Sequence, residues 1–141
     1  MKKAIIYTRV STGKQVRDGV SLDSQKEMLQ NYCLSNGYEV YEIIEDAGVS
    51  GTKTNRAGFI RVMNLVRGRK VDAVITYSIS RFSRSLIQGA KAIEEMRTKK
   101  VDFLTIKEQI DTSKDSAIGN LMLNQWLAFA QFQRDVISEN T

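Results

Sequence analysis

The sequence contains no histidine and no proline, and it has one cysteine among its 141 residues. Without histidine the chain cannot build a Ser-His-Asp or Cys-His relay, because both need an imidazole to take the proton. The usual Cys/His zinc sites are excluded on the same ground, so any metal would need carboxylate ligands. Cys33 cannot form an internal disulfide, and its place beside Leu29 and Tyr32 on the apolar side of a predicted helix favours a small buried hydrophobe.

Long apolar runs are also missing. The first apolar stretch, residues 4–7, is followed closely by Arg9 and is too short for a signal peptide. No stretch approaches the roughly 18 apolar residues that a membrane span requires. We therefore expect no membrane partner and an intracellular, cytoplasmic protein.

Positive charge is present in excess, with a net charge of +5. The excess lies in residues 50–100, which carry 12 basic and 3 acidic side chains. Such a block predicts a polyanionic partner, and nucleic acid is the commonest. Charge alone is equally compatible with a solubilising surface on helix exteriors.

Short apolar runs alternate with amphipathic stretches along the chain. The runs predict strands, and the stretches between them predict helices of about 10 to 16 residues. Gly37 is a credible end for the first helix. The strands and helices are predicted at Lys3–Val10, Leu22–Asn36, Tyr38–Glu45, Phe59–Arg69, Val71–Tyr77, Leu86–Lys99 and Val101–Lys107. This order predicts an α/β fold with a mostly parallel sheet of four to five strands covered by helices, and functional sites gather at the carboxyl ends of such strands.

A long helix is predicted at the end of the chain, over Ala117–Ile137. Its apolar positions are too many for one stripe, so it must bury more than one side. Packing on its own domain and on a partner chain would satisfy both sides, which predicts an oligomer. Complete burial inside one monomer is the alternative.

Ser11 is the candidate nucleophile. It stands at the carboxyl end of the first predicted strand, two residues after Arg9, where the hydroxyl can leave the strand ladder. A serine at such a position also occurs in ordinary turns. In a chain without imidazole, arginine must carry the electrostatics of any phosphoryl chemistry.

Arg81 and Arg84 follow the third predicted strand and return to the same edge of the sheet. They are three residues apart, so a helix beginning there would place both guanidinium groups on one face. With Arg9 they would form an oxyanion clamp for a phosphodiester. An exposed basic helix start is the alternative, and it opposes the helix macrodipole unless an anion is bound. The glycine-rich loop Ala47–Gly58, which carries Lys53 and Arg56, is a candidate substrate-contacting loop near the same edge.

Several segments resemble the signature motifs of the serine site-specific recombinases. Each motif alone would be weak, but they occur in the right order and cover essentially the whole chain. The matching segments are Tyr7–Thr12, Ser21–Gln25, Asp46–Gly51, Ser80–Arg84, Ile110–Thr112, Ala130–Gln131 and Ser138–Asn140.

The resemblance implies a resolvase-like catalytic domain that cuts both strands of double-stranded DNA, keeps each 5′ phosphate on Ser11 and rejoins the ends after subunit exchange. It implies homodimers and tetramers assembled through helix 117–137, action at the nucleoid, and no metal or cofactor. The catalytic residues it implies are Ser11, Arg9, Arg81 and Arg84, and the supporting residues are Gln15, Gln25, Asp46, Arg56 and Ser80. Many members of the family have aspartate where Ser80 stands, and glutamate is common where this chain has Gln133.

The family also carries a DNA-binding region after the catalytic domain. We expect residues 1–141 to be the catalytic domain alone. The motif in residues 78–84 most resembles that of the large serine integrases and transposon recombinases. Two alternatives stay open. One is a degenerate relative that docks on DNA or on an active partner without cutting, which Ser80 suggests. The other is a phosphate-binding regulatory α/β domain, although the sequence has no Gly-rich phosphate loop.

Overall fold

The described residues form a four-stranded β-sheet covered by helices. The computed structural model describes residues 1–11, 21–48, 56–83, 85–114 and 117–140. Within these ranges nine elements follow one another: β1 (Lys2–Ser11), α1 (Leu22–Asn36), β2 (Tyr38–Gly48), α2 (Ala57–Arg67), β3 (Ala73–Thr76), α3 (Ile79–Phe82), α4 (Leu86–Thr98), β4 (Asp102–Thr105) and α5 (Ala117–Glu139).

The strand order is β2-β1-β3-β4, and all three neighbouring pairs are parallel. The predicted α/β fold with a parallel sheet and a long last helix is therefore confirmed. β3 and β4 are shorter than predicted, at four residues each. β2 is longer than predicted, since it remains paired with β1 as far as Gly48, opposite Ser11.

Local sequence explains the ends of α1. The Ser21 side chain accepts a hydrogen bond from the backbone N–H of Ser24, so Ser21 caps the helix. Gly37 ends it with φ of 77°, a left-handed conformation that glycine adopts without a Cβ penalty. The predicted stop at Gly37 is confirmed.

Two apolar cores lie on the two faces of the sheet, because side chains alternate along β1. Ile5 and Tyr7 face the core formed with α2, α4 and α5, whereas Ala4 and Ile6 face the core formed with α1. Cys33 is buried in the second core, as predicted. Burial raises the pKa of its thiol to about 11, which keeps the thiol protonated and unreactive at neutral pH.

Helix α5 packs along α4 and leaves much of its surface uncovered. Of the residues of α5, Gly119, Leu123 and Ala130 alone are buried. Trp126 and Leu127 are partly buried and pack against the core. Complete burial of this helix inside one chain is excluded. The large apolar side chains it exposes are Ile118, Leu121, Met122, Phe129, Phe132 and Ile137. None of the helices in the described ranges is long and apolar enough to cross a membrane.

The α4–α5 contact yields a prediction for stability. A Cβ atom on Gly89 would lie 2.3 Å from Cη2 of Trp126, too close for two carbon atoms. We expect Gly89→Ala to lower the free energy of unfolding by about 1–3 kcal/mol, as overpacking does. Chemical denaturation followed by fluorescence of Trp126, the single tryptophan, measures the change.

Gly68→Ala is the matched control. Gly68 has φ of −81°, and its added Cβ would make ordinary contacts of 3.5 Å or more. Its stability should stay the same or rise slightly. Equal stability of the Gly89 and Gly68 variants would contradict the close packing of α5 on α4.

Candidate active site

The carboxyl ends of the strands bring most of the predicted site residues to one edge of the sheet, called here the carboxyl edge. Arg9 of β1 lies opposite Asp46 of β2 in the parallel register. The backbone of Ser11 continues β1 to the same edge. Helix α3 follows the end of β3 and carries Ser80 and Arg81. These residues converge because parallel strands all end on one side of a sheet.

Arg9 and Arg81 are brought together by reciprocal hydrogen bonds. The Nε of Arg9 donates to the carbonyl oxygen of Arg81 at 3.4 Å, and its Nη2 donates to the carbonyl of Ser80. Nη1 of Arg81 donates in return to the carbonyl oxygen of Arg9 at 3.1 Å. Both guanidinium groups are partly buried beside the end of β1. The structure thus brings Arg9 and Arg81, two of the predicted site residues, together at the end of β1.

A single turn of helix presents Arg81. Ser78 caps this turn, since its hydroxyl accepts from the backbone N–H of Arg81 at 3.2 Å. The turn ends at Phe82, and Ser83 is extended with φ of −153°. Helix α3 therefore ends before Arg84, and the placement of Arg81 and Arg84 on one helix face stays a prediction. The placement of Arg84 lies outside the described residues.

Asp46 is a buried carboxylate with three donors. It accepts from the Tyr7 hydroxyl and from the backbone N–H groups of Gly58 and Phe59, each at 2.8 Å. The last two bonds satisfy the amino end of α2, where Arg56 provides no side-chain cap. Burial, followed by the bond to Asp46, raises the pKa of Tyr7, so the phenol stays protonated as the donor. Asp46 therefore positions α2 and, with it, Arg56.

Arg56 rests on an aromatic cluster. Its guanidinium carbon lies 4.2 Å above the centroid of the Phe59 ring, and Nη1 donates to the side-chain oxygen of Gln88. Phe59 packs against Tyr7 at 6.3 Å and Phe82 at 5.2 Å between centroids. The cluster joins β1, α2 and α3, so it fixes the elements that carry the arginines relative to one another.

Thr8 and Gln25 are the buried polar residues that need explanation. Thr8 follows Ala4 and Ile6 at alternate positions of β1, and Gln25 precedes Leu29 by four residues on the inner face of α1. The spacing places both polar side chains at the end of this core nearest the carboxyl edge. Both are fully buried, and no described residue bonds the Thr8 hydroxyl or the Gln25 amide. Such groups cost stability, and cores retain them mainly for function.

The structure does not place every predicted residue. Gln15, Arg84 and most of the loop 47–58 lie outside the described residues, and for Ser11 only the backbone is described. Ser80 is exposed, and its hydroxyl lies 3.1 Å from that of Ser78. The described residues contain no cluster of three or more metal-ligating side chains.

Sequence reasoning missed four residues at this edge. Gln88 carried no signal, and Tyr7 lies in a matching motif but was given no role, because both contribute through contacts distant in sequence: Gln88 with Arg56 and Tyr7 with Asp46. Glu108, which accepts from the backbone N–H of Ile79 at 3.2 Å, lies beyond β4 with no motif around it that spacing could identify. Thr8, the fourth, could have been found, because it is a polar residue at a core position of β1.

Comparison with known proteins identifies the kind of domain this edge belongs to. The catalytic domain of TP901-1 integrase is 36% identical, with a TM-score of 0.74 over 96% of this chain and 98% of that chain. A resolvase family site-specific recombinase from Streptococcus pneumoniae is 32% identical, with a TM-score of 0.79 over 99% of this chain and 93% of that chain. The fold is that of recombinase catalytic domains.

The chain belongs to the family described as "Resolvase, N terminal domain", which it matches over residues 4–141. The Tn552 DNA-invertase BinR of Staphylococcus aureus is 30% identical over 135 residues, which are 96% of this chain and 63% of that protein. A DNA-invertase of Enterobacteria phage P7 is 32% identical over 136 residues, 96% of this chain and 64% of that protein. The chain thus spans less than two thirds of the length of these relatives.

The Thr8 hydroxyl and the Gln25 amide, which no described residue bonds, yield the second prediction. Thr8→Val keeps the shape of the side chain and removes a buried hydroxyl without a described partner, and Gln25→Leu removes the amide. We expect each to raise the free energy of unfolding by about 1–3 kcal/mol, the desolvation cost of such a group. Denaturation of the chain in urea measures it.

Thr76→Val is the control on the neighbouring strand. The Thr76 hydroxyl is equally buried but donates to the carbonyl oxygen of Tyr7 at 2.9 Å. Its loss leaves that bond unmade and should lower stability. If Thr8→Val destabilises the chain as much as Thr76→Val, then Thr8 has a partner in the folded state.

Proposed function

We propose that this domain cleaves and rejoins DNA through a phosphoserine formed on Ser11. The observation that supports this most directly is the meeting of Arg9 and Arg81 at the end of β1, two residues before Ser11. The names of the relatives, which include resolvases, invertases and an integrase, agree with this activity. We infer that the protein acts in the cytoplasm on double-stranded DNA.

The charge chemistry follows from what the arginines bind now. Among their hydrogen bonds, Arg9 and Arg81 donate to main-chain carbonyls, which are neutral acceptors. Hydrogen bonds from guanidinium to phosphate oxygens are shorter and about twice as strong. A phosphodiester can therefore replace these carbonyls, and the planar guanidinium groups can grip two of its oxygens at once.

In the proposed reaction the Ser11 oxygen attacks the phosphorus of the scissile phosphodiester. A phosphorus–oxygen bond forms to Ser11, the bond to the deoxyribose 3′ oxygen breaks, and the serine proton is balanced by the proton that this oxygen gains. The arginines stabilise the negative charge that builds on the phosphoryl oxygens. The reverse attack by a 3′ hydroxyl of another strand rejoins the DNA and frees Ser11.

The remaining predicted residues receive different proposed roles. Arg56 would contact the phosphate backbone from the start of α2, while Asp46 would act indirectly by holding that start in place. Gln25 would support the phosphate site from the first turn of α1, on the family resemblance. Gln15, Arg84 and Ser80 remain proposed phosphate-contacting residues on the family resemblance.

We also propose that α5 assembles the domain into dimers and tetramers. Phe129 and Phe132 are 64% and 63% exposed on this helix. Exposed aromatic side chains at that density are typical of a surface that meets a partner. A second copy presenting the same helix would cover them in a two-fold interface.

Covalent attachment through Ser11 is the third prediction. In the whole recombinase on its DNA site, Ser11→Ala should abolish the protein–DNA adduct and leave DNA binding largely intact, since binding draws on many phosphate contacts. Arg81→Gln should slow cleavage by roughly 10²–10³-fold, as loss of one preorganised donor does. Quenched cleavage reactions resolved on denaturing gels measure both.

The control for charge is Arg134→Gln, which removes a cation from α5 and should cleave at the parental rate. Peptide mapping of the trapped adduct decides the nucleophile. A nucleotide found on Ser78, Ser80, Ser83 or any tyrosine would show that Ser11 is not the attacking residue.

Self-association through α5 is the fourth prediction. Phe132→Glu places a charge in the proposed interface and should shift the chain toward monomer in sedimentation velocity experiments. Gln133→Glu adds the same charge at the next, also exposed, position and is the matched control. Indistinguishable sedimentation of the two variants and the parent would argue against this interface.

A further inference from the structure

A second positively charged surface lies at the opposite end of the sheet, called here the amino edge. Part of the basic block of residues 50–100 folds away from the candidate active site and joins two lysines at the start of the chain. One pair of cations begins β1, and the other two pairs lie shortly before β3 and β4; all six residues are exposed. The amino-edge cluster consists of Lys2, Lys3, Arg69, Lys70, Lys99 and Lys100.

Backbone hydrogen bonds hold the three pairs side by side. The N–H of Asp72 donates to the carbonyl of Lys3 at 2.7 Å, and the N–H of Asp102 donates to the carbonyl of Asp72 at 2.9 Å. The starts of β1, β3 and β4 are therefore level with one another. Neighbouring strands lie about 4.8 Å apart, so the cluster is roughly 10 Å wide.

Carboxylates at this edge offset only part of the charge. Oδ2 of Asp72 accepts from the backbone N–H of Lys3 at 2.8 Å, and Oδ1 lies 3.7 Å from Nη1 of Arg69. Asp102 lies 3.6 Å from the amino group of Lys2. Glu39 is a third acid, opposite Lys3 in the register of β2, and Asp111 is a fourth, within electrostatic reach of Asp102. Six cations against four carboxylates leave a positive excess.

Two cations of the cluster stand at backbone positions that favour glycine. Arg69 and Lys100 follow the ends of α2 and α4 in left-handed conformations, with φ of 53° and 60°. Glycine is the residue that occupies this position without strain. A general preference for cations near a helix carboxyl end would be met by Arg67 and Arg97 in the last turns. The Arg69 guanidinium also donates to the carbonyl oxygens of Val71 and Lys100 at 3.3 and 3.5 Å, whereas the charge of Lys100 is surplus to what the helices need.

The amino edge is too far from Ser11 to be part of the same site. β1 has ten residues, so its ends are about 30 Å apart. That distance is nearly four Debye lengths at physiological salt and exceeds the width of a DNA duplex. A duplex held at the carboxyl edge cannot also lie straight along the amino edge.

We propose that the amino-edge cluster binds the phosphate backbone of a DNA segment other than the one being cleaved. Exposed lysines on a flat edge suit sequence-independent phosphate contacts, which position DNA without reading its bases. The proposal rests on the proposed function only for the identity of the polyanion as DNA.

The test compares two triple variants of the 141-residue chain that carry the same change in charge. Lys70→Gln, Lys99→Gln and Lys100→Gly neutralise the amino edge, with glycine chosen to fit the left-handed backbone. The control combines Lys26→Gln, Lys91→Gln and Arg134→Gln. Binding of a labelled duplex of about 30 base pairs is measured over a range of salt, where each lost phosphate contact reduces the slope of log K against log salt by about 0.9.

We expect the amino-edge variant to flatten that slope by about 2 to 3 relative to the parent, and the control to change it by less than 1. Both triple variants are also tested in an Arg9→Gln, Arg81→Gln background, which already lacks the DNA contacts that these arginines make at the carboxyl edge. A persistent difference there supports the proposal even if the carboxyl edge proves not to bind DNA. Equal slopes for the two triple variants overturn it. A variant that binds DNA normally but loses self-association in sedimentation also overturns it, because the surface would then bind a second copy.

Discussion

The buried Asp46 carboxylate is the interaction on which the carboxyl edge depends. It ties β2 to β1 through Tyr7 and to α2 through two backbone N–H groups. The approach is so close that a Cβ on Gly58 would lie 2.7 Å from Oδ1 of Asp46, so only glycine permits it. Since the carboxylate stands on β2 and accepts from both β1 and α2, it holds three elements of the scaffold together.

The fold could be predicted well from the sequence because its signals are local. Alternation along β1, the four-residue spacing of Leu29 and Cys33, and the stop at Gly37 each depend on near neighbours. The end of β2 and the start of α2 could not be predicted in this way, because they depend on contacts of Asp46 with residues far along the chain. The same limit applies to α3, where only the backbone could show that the helix ends at Phe82.

The candidate site divides along similar lines. Motif order was enough to select Arg9 and Arg81, and their meeting follows from the parallel sheet. Spacing could not show that Arg56 lies on Phe59, or that Gln25 is buried with its amide unbonded by any described residue. A buried polar group is invisible to a pattern that counts it as one more surface residue. These are also the places where stability has been given up, as is typical of functional sites.

Strand β1 is paired unevenly along its length. From Ala4 to Tyr7 it is bonded on both sides, to β2 and β3, but its registered pairing with β3 ends at Tyr7, while pairing with β2 runs on to Ser11. Local unfolding energies follow such differences in bonding. Amide protection against solvent exchange should therefore fall within one strand, from the sheet centre toward Ser11. The proposed nucleophile, Ser11, stands beyond the part of β1 that is paired with both neighbouring strands, so its end of the strand can move while the core that supports it stays folded.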